Sequence, residues 1–308
     1  MISGILNVYK EKGYTSHDVV AKLRGILGQR RIGHTGTLDP EAEGVLPVCL
    51  GVGTRLCDLL TDTGKMYRAV LLLGQETDTQ DSTGTVLATY PVHVTEEEAA
   101  ACIASFVGEY DQIPPMYSAL KVQGKKLYEL ARAGVEVERA PRRVTVHAIR
   151  VEEICLPRIT MTVDCSKGTY IRTLCHDIGK RLGTGGCMES LTRTRVGCFD
   201  IAESLTLSRI ETLRDQGKLT ERIHPVDSMF PELPRVLVTS EAERLLKNGN
   251  LLRSAQLLAE GTGAFAADPE AAPRLRVYDT ESRFCGIYRW DRHRNGYVPE
   301  KMFLSPAD

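Results

Sequence analysis

Gly33-His34-Thr35-Gly36-Thr37-Leu38-Asp39-Pro40-Glu41-Ala42-Glu43-Gly44-Val45-Leu46-Pro47 packs three glycines, two prolines, one histidine and three carboxylates into fifteen residues. Glycine costs backbone entropy and proline lacks a donor, so the stretch is a poor helix and a poor central strand. It runs into Val45–Val52, an apolar run that reads as buried. A loop set against a core, with an aspartate followed by proline, is suited to holding a reactive carboxylate.

Outward from this loop the chain alternates short strands and helices without strict βαβ order. Ile5–Tyr9 reads as a strand. Thr15 or Ser16 caps a helix with Val19, Val20, Leu23, Ile26 and Leu27 at helical spacing, and Gly28 ends it. Met66–Leu73 and Thr85–Ala88 read as strands of a hairpin around the polar turn 74–84, and Thr95 caps a helix running to Phe106. Leu127–Ala133 reads as a short helix. Val144–Glu153 and Ile159–Cys165 read as paired strands, and Gly168–Arg181 contains a helix start with Thr169 near its cap. Val226–Pro234 reads as a linker, Thr239–Lys247 as a helix, Gly261–Ala272 as a small-residue loop, and Arg274–Tyr278 and Phe284–Trp290 as strands. The pattern predicts an α+β fold with a mixed, mainly antiparallel sheet, followed by a small β-rich unit.

At 308 residues, with 42% hydrophobic and 26% charged residues, the composition is that of an ordinary globular chain large enough for a second small domain. No apolar run reaches membrane-spanning length, no signal-peptide pattern opens the chain, and the nine cysteines form no C-x-x-C pair. A reduced, cytoplasmic setting is the expectation. The net charge of -1 decides nothing about nucleic acid, which needs a local basic face. Lys121–Arg143 is locally basic, with seven positive and three negative residues, and reads either as a solvated face or as a phosphate-contacting arm. No phosphate loop, no G-x-S-x-G serine and no histidine pair at metal-ligand spacing is present, so neither a metal nor a cofactor is expected. Taken singly, Asp39 reads as a turn aspartate, Tyr67 as a strand aromatic and Arg172 as a surface helix residue.

Gly33–Pro40 resembles the catalytic motif of the TruB family, the bacterial tRNA pseudouridine-55 synthases. Lys10-Glu11-Lys12-Gly13-Tyr14-Thr15-Ser16, Lys65-Met66-Tyr67-Arg68, Pro114–Lys121, Lys167-Gly168-Thr169-Tyr170-Ile171-Arg172 and Ser190-Leu191-Thr192-Arg193 resemble further family segments in the expected order. Two positions depart from the pattern: Glu11 stands where the family usually has proline, and Glu43 where it often has threonine.

The resemblance implies isomerisation of a uridine in the TΨC loop of tRNA, with Asp39 as the catalytic carboxylate. Arg172 is then its ionic partner, holding it charged, and Tyr67 stacks on the uracil and serves as a general base. Leu191 becomes an apolar wall, and His34 fills the gap left by the flipped base. Tyr170, Lys10, Arg142 and Arg143 join the substrate-binding set. The implied organisation is a catalytic domain over 1–230, with an RNA-binding insertion at about 112–143, and a PUA-like RNA-binding domain over 231–308. There Arg283, Arg289, Arg292 and Arg294 contact the acceptor stem or form a solvated face. A monomer bound to the tRNA T stem-loop is expected, with no membrane and no small-molecule cofactor. The rivals are a non-catalytic RNA-binding or RNA-folding protein on the same scaffold, a same-family synthase acting on another RNA, and, more distantly, a glycosidase built on Asp39, Glu41 and Glu43.

Overall fold

The computed structural model describes residues 1–122, 124–259 and 272–304. The small-residue loop expected at Gly261–Ala272 falls almost wholly outside them. In chain order the regular elements are β1 (Gly4–Lys10), α1 (Ser16–Leu27), β2 (Ile32–His34), β3 (Glu43–Leu50), α2 (Cys57–Thr61), β4 (Lys65–Leu73), β5 (Gln75–Thr77), β6 (Val86–Thr89), α3 (Glu96–Ala104) and β7 (Gly108–Gln112). They continue with β8 (Lys121–Val122), β9 (Lys125–Lys126), α4 (Leu127–Arg132), β10 (Arg142–Cys155), β11 (Arg158–Cys165), α5 (Ile171–Leu182), β12 (Gly186–Val196), β13 (Phe199–Asp200), α6 (Leu207–Asp215) and β14 (Ile223–His224). The chain closes with β15 (Arg235–Val238), α7 (Glu243–Lys247), β16 (Leu257–Ala259), β17 (Arg274–Tyr278), β18 (Phe284–Asp291) and β19 (Gly296–Met302).

The large sheet runs β14-β1-β3-β12-β4-β11-β10-β7, with β2 and β13 paired to β3 and β12. All its pairings are antiparallel except β3 with β12, which makes the sheet mixed as expected. One core lies between β4, β11 and β12 and the helices α3 and α5, centred on Leu71, Met161, Leu174 and Ile178. A second lies between β1 and β3 and the helices α1 and α6, centred on Leu6, Leu46, Leu23 and Ile210.

Local chemistry accounts for much of this. Thr15 and Asp18 form a reciprocal capping box on α1, and Gly28 closes that helix at φ 62°. Thr95 and Glu98 repeat the box on α3. Thr169 stands next to the cap of α5, as expected: Tyr170 is the N-cap, and the Thr169 hydroxyl donates to Ser166 O at 3.0 Å. Gln112 of β7 serves that helix end, accepting from Tyr170 N at 2.8 Å and donating to Tyr170 O at 3.0 Å.

Two expectations change. The hairpin is β5 with β6, a separate ribbon, whereas β4 pairs with β11 and β12. The opening stretch is loop only over 35–42, and Pro47 lies inside β3 opposite Asn7. Pro47 O accepts from Thr35 N at 3.1 Å, just beyond the last β2–β3 pair, His34 with Val48. The missing N–H therefore falls at the end of a ladder, where a proline is tolerated.

The C-terminal sheet, β16-β15-β17-β18-β19, is separate from the large one. It docks through Val226, Phe230, Leu233, Ile287 and Phe303, which pack with Ile5, Val45 and Val196 in one apolar cluster. The expected linker contains a short 3-10 turn, Val226–Met229, that takes part in this contact.

Gly44 permits the single parallel crossing. Its φ is +105°, and a Cβ there would lie 2.2 Å from Arg193 O. Gly44→Ala is expected to cost about 2 kcal/mol or more, read as a lowered urea midpoint of unfolding.

Candidate active site

Asp39 sits in a loop clamped residue by residue. Arg193 Nη1 donates to Thr37 O at 3.4 Å, and Leu38 N donates to the buried Ser16 Oγ at 2.9 Å. Pro40 O accepts from Lys10 Nζ at 3.1 Å and from Gly13 N at 2.9 Å. Four positions, three of them within residues 10–16 and one at 193, thus hold the backbone around one carboxylate.

The carboxylate meets Arg172, which leaves the first turn of α5. Arg172 Nε lies 3.1 Å from Asp39 Oδ2, and its Nη1 lies 3.5 Å from Asp81 Oδ2. The same guanidinium donates to Thr79 O at 3.2 Å and to Tyr117 O at 2.7 Å. Its side chain is 7% exposed against 40% for Asp39, so the cation is the buried half of the pair and the carboxylate faces the opening.

Arg172 was expected to hold Asp39 charged. It works in that direction, as Lys10 does, but burial, the largest influence, together with Asp81 outweighs them. The Asp39 carboxyl is therefore held above the ordinary aspartate value of 3.8. Beside it lies a cavity of about 20 Å³ bordered by Asp39, Ala42, Asp81, Thr83, Ser190 and Leu191. That is room for about one water.

Tyr67 lies on β4, opposite Arg193 of β12 and Val163 of β11. It does not border that cavity, yet it is near enough to Asp39 for the carboxylate to raise its proton affinity; burial raises it more. Tyr170 precedes Arg172, and burial raises its phenol too, opposed by Ser118, Arg142 and Arg172. His34 closes β2. Its Nδ1 accepts from Gly36 N at 3.3 Å, and its ring stands edge-on to His17 at 5.2 Å. Burial, with His17 next, lowers its pKa and favours the neutral ring.

The structure gives several expected residues other surroundings. Lys10 is fully buried and donates to the carbonyls of Glu11, Tyr14 and Pro40, so it supports the Asp39 loop instead of reaching a substrate. Burial pulls its ammonium down to about 8. Arg143 is held by Asp111 at 2.8 Å and Glu109 at 3.2 Å, whereas Arg142 makes no ion pair among the described residues. In the C-terminal sheet, Arg283 is paired with Asp279 at 2.7 Å and Arg294 with Asp291 at 3.9 Å. Glu11 supplies a backbone carbonyl that any residue would supply, and Glu43 accepts from Thr192 Oγ1 at 3.3 Å.

Two residues at the site escape a reading of the sequence. Asp81 lies in the polar turn 74–84 with nothing local to single it out. Arg193 lies in the quoted segment Ser190–Arg193 but looks like any strand arginine, and its burial depends on the β3–β12 crossing.

Comparison with known proteins places this fold among the pseudouridylate synthases. Residues 24–171 match the N-terminal domain of the TruB family pseudouridylate synthases, and residues 172–231 match the tRNA pseudouridylate synthase B C-terminal domain. The chain belongs to the TruB family. Its relatives carry the more particular description. A protein of Lachnoclostridium phytofermentans named tRNA pseudouridine synthase B is 51% identical over 98% of this chain and 100% of its own. One of the same name from Halalkalibacterium halodurans is 40% identical over 99% of this chain and 98% of its own. Among solved structures, a chain in a Cbf5–Nop10–Gar1 complex superposes with a TM-score of 0.70 at 27% identity, covering 99% of this chain and 86% of that one. A chain in an H/ACA RNP bound to a substrate RNA containing 2′-deoxyuridine gives 0.68 at 25% identity, covering 98% and 85%.

The raised Asp39 carboxyl has a kinetic consequence if that group must be ionised. The acid limb of kcat/KM is expected above pH 3.8, with activity lost as pH falls through the raised value. Asp81→Asn removes a group that raises it and is expected to move the limb to lower pH in the same rate profile.

Proposed function

We propose that the chain isomerises the uridine at position 55 in the TΨC loop of tRNA to pseudouridine, with Asp39 as the catalytic carboxylate. The reaction class follows from the family: it is an isomerase, a tRNA pseudouridine synthase. The observation that carries the residue assignment is the Asp39–Arg172 pair, buried on the cation side and open on the carboxylate side, beside a cavity walled by Leu191.

The N1–C1′ bond breaks, the base turns and a C5–C1′ bond forms, with no change of oxidation state. Asp39 acts on the sugar or the uracil, by attack or by charge stabilisation. Arg172 fixes its direction. Tyr67 stacks on the uracil and carries the proton that leaves carbon. Leu191 and Tyr170 bound the base. Taking the uridine out of its stack costs roughly a few kcal/mol, and His34 fills the vacated place.

The RNA is gripped by shape and phosphate contacts through the 112–143 insertion and by a PUA-like unit over 231–308. No helix among the described residues is long and apolar enough to cross a membrane. A monomer working in the cytoplasm completes the reading.

Asp39→Asn is expected to lower tritium release from C5-labelled uridine in tRNA by about a thousandfold or more; near wild-type release would sink the assignment. Pseudouridine mapped at another position or in another RNA would favour the same-family rival, and tRNA binding without product the non-catalytic one.

The arginines at the start of β10 separate in the same system. Arg142→Gln is expected to reduce the salt slope of tRNA binding by about 0.7–0.9, the worth of one phosphate contact. Arg143→Gln is expected to reduce it less, because Asp111 and Glu109 already neutralise that charge.

A further inference from the structure

Arg193 has no part in the reaction as described so far, and its surroundings are not explained by structure alone. It is 2% exposed and heads the fully buried side chains by size among the described residues. Its Nε donates to Val45 O at 2.8 Å and its Nη1 to Thr37 O at 3.4 Å. Its Nη2 is buried and has no hydrogen-bond partner. Two carbonyls call for two donors, and a neutral side chain supplies them. The positive charge and the idle third nitrogen are left over. A buried cation is retained at a cost unless something answers it, and an idle buried N–H adds to that cost.

What answers it is Tyr67. The two residues face each other across β4 and β12, and the Tyr67 hydroxyl is the group that offsets the burial of the Arg193 charge. From the Tyr67 side, the charged and titratable neighbours are Arg193 on β12, Cys165 on β11 and Asp39 on its loop. Burial, Cys165 and Asp39 all disfavour the phenolate, and of these neighbours Arg193 alone favours it. The same guanidinium holds Thr37 O, two residues before Asp39, so it ties the carboxylate loop to β12, the strand next to the one that carries the tyrosine.

We propose that Arg193 is a positioning residue for the isomerisation, its Nη2–H kept for the Tyr67 oxygen so that the phenolate can take a proton from the substrate. The proposal rests on the reading of Tyr67 as the proton carrier. The Tyr67 phenol, whose proton burial holds, first gives that proton to water. As the substrate C–H bond breaks, its electron pair stays with the substrate and the phenolate oxygen gains the proton. The phenol then passes it to water or back to the substrate. Arg193 makes no contact with RNA in this scheme; it acts through Tyr67.

Trifluorotyrosine placed at position 67 tests this, since its more acidic phenol brings the titration into a range where the protein is stable. Its ¹⁹F resonance followed against pH reads the phenol directly, and tritium release from C5-labelled tRNA reads kcat. With Arg193→Met the titration is expected to move up by about one unit. With tyrosine at position 67, kcat of that variant is expected to fall about tenfold or more. Arg193→Lys is expected to fall between, and fluorination at position 67 is expected to recover part of the kcat it loses. A merely structural role for Arg193 predicts no such recovery. An unmoved ¹⁹F titration in Arg193→Lys, or a loss of kcat equal with and without fluorination, overturns the proposal. Should Arg193→Met not fold, Arg193→Lys decides alone through the same two readouts. Tyr67→Phe separates this from the reading beneath it. Full activity in Tyr67→Phe removes Tyr67 as proton carrier, while the ¹⁹F shift still reports whether Arg193 bears on it.

Discussion

A guanidinium taken out of water must have its donors met from the protein, because an unpaired buried charge is costly. Arg172 imposes that demand on the rest of the site. Asp39, Asp81, the carbonyl of Thr79 and the carbonyl of Tyr117 answer it, and they come from three segments far apart in sequence. The carboxylate loop, the turn after β5 and the basic insertion therefore converge on the first turn of α5. That turn is itself anchored by Gln112 from the edge strand β7. Removing any one partner leaves a donor idle inside the protein, so loop positions and cation position are mutually dependent.

A second constraint lies on the other side of Asp39. Lys10 and Arg193 are more deeply buried than the carboxylate they support, and both work through backbone carbonyls of its loop. A carboxylate facing two cations, Arg172 and Lys10, would ordinarily be strongly acidic. Here burial and Asp81 offset the cations, and the group ends above its ordinary value. The arrangement is that of a site with fixed geometry and a tuned charge, set before substrate arrives.

Local features were legible in the sequence for a local reason. Thr15 with Asp18, Gly28, and Thr95 before its acidic first turn act within four residues of themselves, and all occur where expected. The alternating strands on either side of residue 157 were legible because both faces of each are set by neighbours two residues away. Thr169 marked the start of α5 correctly, but the group that serves that helix end, Gln112, lies 58 residues from Tyr170 and carries no local signal. Pro47 misled because whether a strand tolerates proline depends on which ladder its nitrogen faces. Lys10 could not be placed from the sequence, because a lysine normally points to water and only the fold encloses it.

The sequence by itself determined the class of fold, several of its helices and strands and the short motifs around Asp39, Tyr67 and Arg172, since those are properties of neighbouring residues. What the tertiary structure decided is which charges meet. Asp81, Tyr117 and Arg193 entered the site only when β3 crossed β12 in parallel and α5 packed against the sheet. Burial then fixed how each group holds its proton. Burial and long-range charge depend on distances that sequence spacing does not contain, so the chemistry of the site could be located in the sequence but not balanced there.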